Sequence, residues 1–182
     1  MPQMQSAENF VKELYLSKIR NDGTAHQEYL AAVVARLKNL GITDDEVLSA
    51  AWLHDTIDNT KTSFDELDKR FSSRIAVLVL SISKDQSIPK SIQEEQYVKQ
   101  LKESPIEAKI IKLCSISANL KDLKNSPFSK TRKIKELKKK LYYLNVIKTD
   151  LIKNKVQIPG ITGLVNGIND IAISYGLRPV IF

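Results

Sequence analysis

Apolar residues along this chain recur at three- and four-residue intervals, the spacing that gathers them on one face of an α-helix. Over residues 7–19 that set is Phe10, Val11, Leu14, Leu16 and Ile19, and Asn21, Asp22 and Gly23 then break the pattern, because these residues accept turn and left-handed backbone. A second stripe of Leu30, Val33, Val34, Leu37 and Leu40 predicts a helix over residues 29–40, with Gly41 as its C-terminal cap. Thr43, Asp44, Asp45 and Glu46 have the order of a capping box and lead into a helix over residues 46–54. Thr62 or Ser63 caps the next, and residues 75–83 form another. Residues 91–102 after Pro89 are helix-compatible, and Pro105 opens residues 106–123, with Ile106, Ile110, Leu113, Ser117 and Leu120 on one face. A long Lys-rich helix is predicted over residues 130–153, and a last amphipathic one over residues 161–174 leads to the apolar tail Val180, Ile181 and Phe182. No stretch alternates with the period of two that a strand requires. The pattern predicts one all-α domain over residues 1–182, a bundle of orthogonally packed helices.

Candidate chemistry is concentrated where the third predicted helix ends. His54 and Asp55 stand side by side after the apolar run Ala50, Ala51, Trp52 and Leu53, and Asp58 follows one turn on. Imidazole and carboxylate both ligate divalent metals, and a second carboxylate nearby can handle a metal-bound water. A helix-end histidine followed by a capping aspartate produces the same dipeptide without any metal.

The wider sequence around this pair resembles the HD-domain hydrolases of the RelA/SpoT family, including the small alarmone hydrolases. The resemblance rests on Gly41-Ile42-Thr43-Asp44, on LSAAWLHDTIDNT from Leu48 to Thr60, and on Thr62-Ser63-Phe64-Asp65-Glu66-Leu67 followed by Phe71. Ser83-Lys84 and IIKLCSISANLKDL from Ile110 to Leu123 extend it. It covers about residues 7–151 and leaves residues 159–182 unmatched. It implies an HD-domain helical fold and hydrolysis of the 3′-pyrophosphate of ppGpp or pppGpp, or of NADPH in some small members. The cation, usually manganese, is held in that family by four residues: one His of a G-x-P-Y-x-x-H-P segment, the HD pair, and the Asp of K-L-A-D.

Carried over position by position, His54 and Asp55 match the HD pair. Gly23 to Leu30 matches the G-x-P-Y-x-x-H-P segment without a gap, which sets Tyr29 at the ligand His and His26 at the Tyr. Lys112-Leu113-Cys114-Ser115 sets Ser115 at the ligand Asp, and the water-activating Glu-Asp pair becomes Asp58 and Asn59. A phenol with a pKa of about 10 and a neutral hydroxyl are poor replacements for imidazole and carboxylate. Asp58 retracts the base by a methylene, and Asn59 cannot take a proton. His26, three residues before Tyr29 and so on nearly the same helical face, is the candidate third donor beside His54 and Asp55. By the same resemblance Arg20, Lys84, Lys90 and Asn119 are ligand-binding candidates, although Lys84 and Lys90 read equally well as surface lysines.

Composition adds little that conflicts. The chain has 182 residues, 42% of them hydrophobic, with no apolar run long enough to span a membrane. One cysteine, Cys114, and a beginning without the order of a secretory signal lead to the expectation of a cytoplasmic protein. The net charge of +7 comes largely from lysines in residues 130–155, a pattern shared by a solvated helix face and a polyanion-binding patch.

The reading that follows is a divergent RelA/SpoT-type protein whose metal-dependent hydrolysis is impaired or lost. It would keep a nucleotide-binding or regulatory role, with no cofactor or a weakly bound manganese ion, and a guanine nucleotide or other phosphorylated small molecule as partner. The alternative is an active phosphohydrolase on ppGpp or NADPH with a rearranged site at His26, His54 and Asp55. A third reading, a basic nucleic-acid-binding protein acting through residues 130–155, lacks any recognition motif in its support.

Overall fold

The computed structural model describes residues 2–182, and every regular element among them is helical. In chain order these are α1 (Gln3–Leu14), α2 (His26–Asn39), α3 (Asp45–Leu53), α4 (Thr56–Asn59), α5 (Phe64–Arg70), α6 (Ser73–Ser81), α7 (Lys90–Glu103), α8 (Ile106–Asn125), α9 (Lys130–Asn154) and α10 (Gly160–Ser174). The sole strand-like pairing among the described residues is a single antiparallel bridge between Ile19 and Ala25.

Two helices form the centre. In α3 all seven residues from Val47 to Leu53 are buried, and α8 is buried continuously from Ala108 to Ser115 and on to Ile116. A helix apolar on every side must be covered on every side. Accordingly α8 packs against α2, α3, α6, α9 and α10, while α3 packs against α1, α2, α6 and α8. The five-residue face expected for α8 is therefore too narrow. Ser117, assigned to that face, is only partly buried and accepts a hydrogen bond from Arg36 Nε at 2.9 Å.

Local chemistry sets the helix ends. The α2 helix closes in a Schellman motif: Gly41 at φ +85° lets its N–H reach the Lys38 carbonyl and lets Ile42 N–H reach Leu37. The capping box expected before α3 is not formed. Asp44 alone caps it, accepting from Glu46 N at 3.0 Å and Val47 N at 3.3 Å, while the Glu46 carboxylate turns away to Ser72 and Arg74. Ser63, not Thr62, caps α5.

The first helix stops at Leu14, five residues before the expected end. Tyr15 folds inward there and donates its hydroxyl to the Asp55 carbonyl at 3.2 Å, and Ser17 adopts φ 59°. Leu16 and Ile19, expected on the buried face, are exposed.

The C-terminal segment packs on the core. Helix α10 lies on α8, burying Ile161, Val165, Ile168 and Ala172. The Asn169 side-chain amide donates to the Val180 carbonyl at 2.9 Å and accepts from its N–H at 2.8 Å, a two-point clamp on the tail. None of residues 159–182 lines either cavity described below.

Candidate functional site

His54 ends α3, Asp55 precedes the single turn α4, and both lie against α2 and α8. His54 is buried, and its Nδ1 lies 2.7 Å from the Ala51 carbonyl. A carbonyl only accepts, so Nδ1 carries its proton and Nε2 faces inward. That is the orientation an Nε2 metal ligand needs.

The position of Nε2 is already used. It lies 3.1 Å from the Tyr29 hydroxyl and 3.2 Å from Asp55 Oδ1. A ring nitrogen has one in-plane direction, lone pair or N–H, and here it points at these neighbours in either protonation state. The Tyr29 hydroxyl is itself a hub, 2.8 Å from Ser115 Oγ and receiving Asn119 Nδ2 at 3.1 Å. A phenol has one donor and two acceptor positions, so three partners saturate it. Burial, followed by the nearby Asp55 charge, pushes the Tyr29 pKa upward, so the hydroxyl stays neutral.

Arg20 closes the hub from above. Its guanidinium lies 3.9 Å from the centre of the Tyr29 ring, donates to Asp122 at 2.9 Å, and is hydrogen-bonded to Asn119 Oδ1. Its charge is therefore spent within the protein. Asn119 has a fixed amide orientation, with oxygen toward Arg20 and nitrogen toward Tyr29.

His26, the first residue of α2, is 8% exposed and stacks on Tyr15 with ring centroids 4.0 Å apart. Its Nε2 lies 3.3 Å from Asp55 Oδ2, outside hydrogen-bond alignment, and has no hydrogen-bond partner among the described residues. Burial acts to raise the Asp55 pKa, but the His54 and His26 imidazoles and Lys112 outweigh it and hold the carboxylate below its ordinary range. The two imidazoles thus address opposite oxygens of one carboxylate. Among the described residues no group of three or more His, Cys, Asp and Glu side chains is arranged to hold a metal ion. The donor set does not fit the family's manganese.

Asp58 accepts the Lys84 backbone N–H at 2.8 Å. Burial raises its pKa, and the Asp55 charge adds to that effect against the Lys84 N–H. Asn59 is exposed at the rim. Lys84 lies beside the site but is paired with Glu94 at 2.8 Å. Lys90, expected near the ligand, is exposed at the start of α7 and lines neither cavity, because Pro89 starts the helix with that side chain facing out.

Two cavities meet here. An inner one of about 200 Å³ holds Tyr29, His54, Asp55, Asp58, Lys84, Tyr97, Lys112, Ser115, Lys139, Lys140 and Tyr143 in its wall. An outer one of about 510 Å³ is lined by Tyr15, Lys18, Ile19, Arg20, His26, Leu120, Leu123, Phe128, Arg132 and Lys140 among others. Asp55, Asn59, Asn119 and Lys140 belong to both, so the two are continuous.

Sequence reasoning missed Tyr15, Lys112, Lys139, Lys140, Tyr97 and Tyr143. For Lys140 a signal existed: it falls three residues after Leu137 and four before Leu144, inside the apolar stripe of α9. Lys112 interrupts the apolar run Ile110, Ile111, Leu113 in the same way. Tyr15 gave none.

Comparison with known proteins agrees with this architecture. The HD domain family matches residues 7–144. Guanosine-3′,5′-bis(diphosphate) 3′-pyrophosphohydrolase MESH1 of Danio rerio is 36% identical over 118 residues, 63% of this chain and 66% of that protein. The Homo sapiens protein of the same name is 34% identical over 124 residues, 66% of this chain and 69% of that protein. Guanosine-3′,5′-bis(diphosphate) 3′-pyrophosphohydrolase of Aquifex aeolicus is 32% identical over 138 residues, 75% of this chain but 20% of that longer protein. A solved metazoan ortholog of SpoT superposes with a TM-score of 0.77 over 97% of both chains at 23% identity, which establishes the all-α HD-domain fold. The chain belongs to the HD-domain family, and its relatives there are ppGpp 3′-pyrophosphohydrolases.

Proposed function

We propose that this protein binds a phosphorylated guanine nucleotide in the continuous cleft and that its metal-dependent hydrolysis is impaired or lost. The observation that carries the reading is the Tyr29 hydroxyl, hydrogen-bonded at once to His54, Ser115 and Asn119. At the two positions where the family places an imidazole and a carboxylate, this chain has two neutral hydroxyls bonded to each other. The altered acid–base pair supports the same reading: Asp58 Oδ1 accepts the Lys84 N–H, and Asn59 has no titratable group. The outer cavity combines an apolar wall of Ile19, Leu120, Leu123 and Phe128 with Lys18, Arg132 and Lys140, chemistry suited to a base and its phosphates.

A second reading, an active phosphohydrolase acting on ppGpp or NADPH, is favoured by one feature, the unpartnered His26 Nε2 beside Asp55. One experiment separates the two. Purified protein is incubated with ppGpp and, separately, NADPH in the presence of manganese, with the Danio rerio relative as control, and released pyrophosphate or phosphate is measured. The first reading predicts ppGpp binding with no turnover above background. Turnover that disappears in His54→Ala would overturn it and establish the second.

A further inference from the structure

The inner cavity has an electrostatic character that the hub does not explain. Four lysines, Lys84, Lys112, Lys139 and Lys140, line it against two carboxylates, Asp55 and Asp58. Glu94 occupies Lys84, and Asp58 is directed at the Lys84 N–H. The Lys112 and Lys140 ammonium groups have no hydrogen-bond or ion-pair partner in contact among the described residues; Asp55 and Asp58 act on Lys112, and Asp55 and Glu136 on Lys140, only through space.

Lys112 is 9% exposed, and its ammonium is held between aromatic faces, 4.9 Å from the Tyr143 ring centre and 5.2 Å from that of Tyr97. Tyr97 is fixed by its hydroxyl on the Ile82 carbonyl at 3.0 Å, and Tyr143 by its hydroxyl on Glu94 at 2.5 Å. The aromatic pair thus aims a cation into the chamber. Lys140 enters from α9 at the junction with the outer cavity, on the same face as buried Leu137 and Leu144. An ammonium taken from water needs a counter-charge, and two facing one small space repel each other.

We infer that the inner chamber is a metal-independent oxyanion site that receives the terminal phosphoryl or pyrophosphoryl group of the ligand between Lys112 and Lys140. Its volume of about 200 Å³ is below the ~300–1,000 Å³ typical of pockets that hold whole small molecules and suits a single charged group. The ligand's body then lies in the adjoining outer cavity, the part of the inference that rests on the nucleotide reading. The lysines supply the positive charge that a cation would otherwise present to phosphate oxygens. Burial lowers the pKa of Lys112 to about 8 and of Lys140 to about 7, in each case against the attraction of nearby carboxylates, Asp55 foremost.

The test is calorimetric titration of inorganic pyrophosphate and of ppGpp into the full chain in excess EDTA at pH 6.5. Lys112→Gln, Lys140→Gln and, as control, the exposed Lys138→Gln are titrated in parallel. The inference predicts pyrophosphate binding without metal, weakened at least tenfold by Lys112→Gln or Lys140→Gln and less than twofold by Lys138→Gln. Each substitution keeps an uncharged polar side chain of similar length, so both variants should fold, which their melting curves check. Pyrophosphate binding that needs added manganese, or that is indifferent to both substitutions, overturns the inference. If pyrophosphate binds as predicted and ppGpp binds no tighter, the chamber stands and the nucleotide reading fails. If ppGpp binds and neither substitution weakens it, the nucleotide reading stands and the chamber fails.

Discussion

Tyr29→Phe removes one oxygen and keeps the ring, so it isolates the hub from the packing around it. The hydroxyl has three partners, but they are not equally stranded by its loss. Asn119 keeps Arg20 on its oxygen and has Ser115 Oγ at 3.4 Å for its nitrogen, while His54 Nε2 can turn to Asp55 at 3.2 Å only in a ring protonated on both nitrogens. Ser115, buried and bonded to the phenol at 2.8 Å, loses its best partner. Leaving a buried polar group unsatisfied costs about 1–3 kcal/mol, and between one and two such groups are left here, so the expected loss is about 1.5–3 kcal/mol. For a chain of this size that corresponds to roughly a 3–12 °C fall in melting temperature. Urea unfolding gives the free energy, with an unchanged slope showing that the same surface is exposed. A double-mutant cycle with Ser115→Ala should return a coupling of about 1 kcal/mol. A loss below about 0.5 kcal/mol, or additive single effects, would show that the hydroxyl is not the centre of a cooperative network.

Stability of the ligand-free protein should rise between about pH 7 and pH 9. Lys140 titrates near 7 when folded because burial strips its hydration and Lys112 repels it, against the attraction of Asp55 and Glu136, whereas the unfolded chain keeps that proton to about 10.5. The unfolded state therefore binds more protons across this window, which raises stability with pH by at most about 1.4 kcal/mol per unit for one lysine, less for one only partly buried. Urea midpoints at pH 7 and 9 check this, and the rise should be smaller in Lys140→Gln, where Lys112 alone remains to contribute; an equal rise or a fall in both proteins refutes it. Asn169→Ala removes both bonds that hold the Val180 backbone and should lower stability by about 1–2 kcal/mol while leaving pyrophosphate affinity within twofold, since α10 lines neither cavity. A change in affinity would place the tail in the site.

Much of the fold was legible because helical periodicity reports which face is buried. The stripes of α2, α9 and α10 mark those helices to within a few residues of their ends. It was less informative for α8, since a helix buried on all sides carries no stripe to read. The end of α1 was misplaced because a local pattern extends through Leu16 and Ile19, whereas a tertiary bond from Tyr15 to the Asp55 carbonyl turns the chain first. At the site, the sequence placed His26, His54, Asp55, Asp58, Asn119 and Arg20 near one another, and they are neighbours in the structure. It could not show that Arg20 is committed to Asp122, or that lysines from α8 and α9 share one chamber, because those relations join residues far apart in the chain.

The claim that the Tyr29 hub closes the metal site is tested most directly by manganese titration followed by electron paramagnetic resonance of the free ion. The unaltered chain should leave added manganese free at concentrations up to about 100 μM, whereas Tyr29→His/Ser115→Asp, which restores an imidazole and a carboxylate beside His54 and Asp55, should bind one equivalent. Stoichiometric binding by the unaltered chain at micromolar concentration would contradict the account.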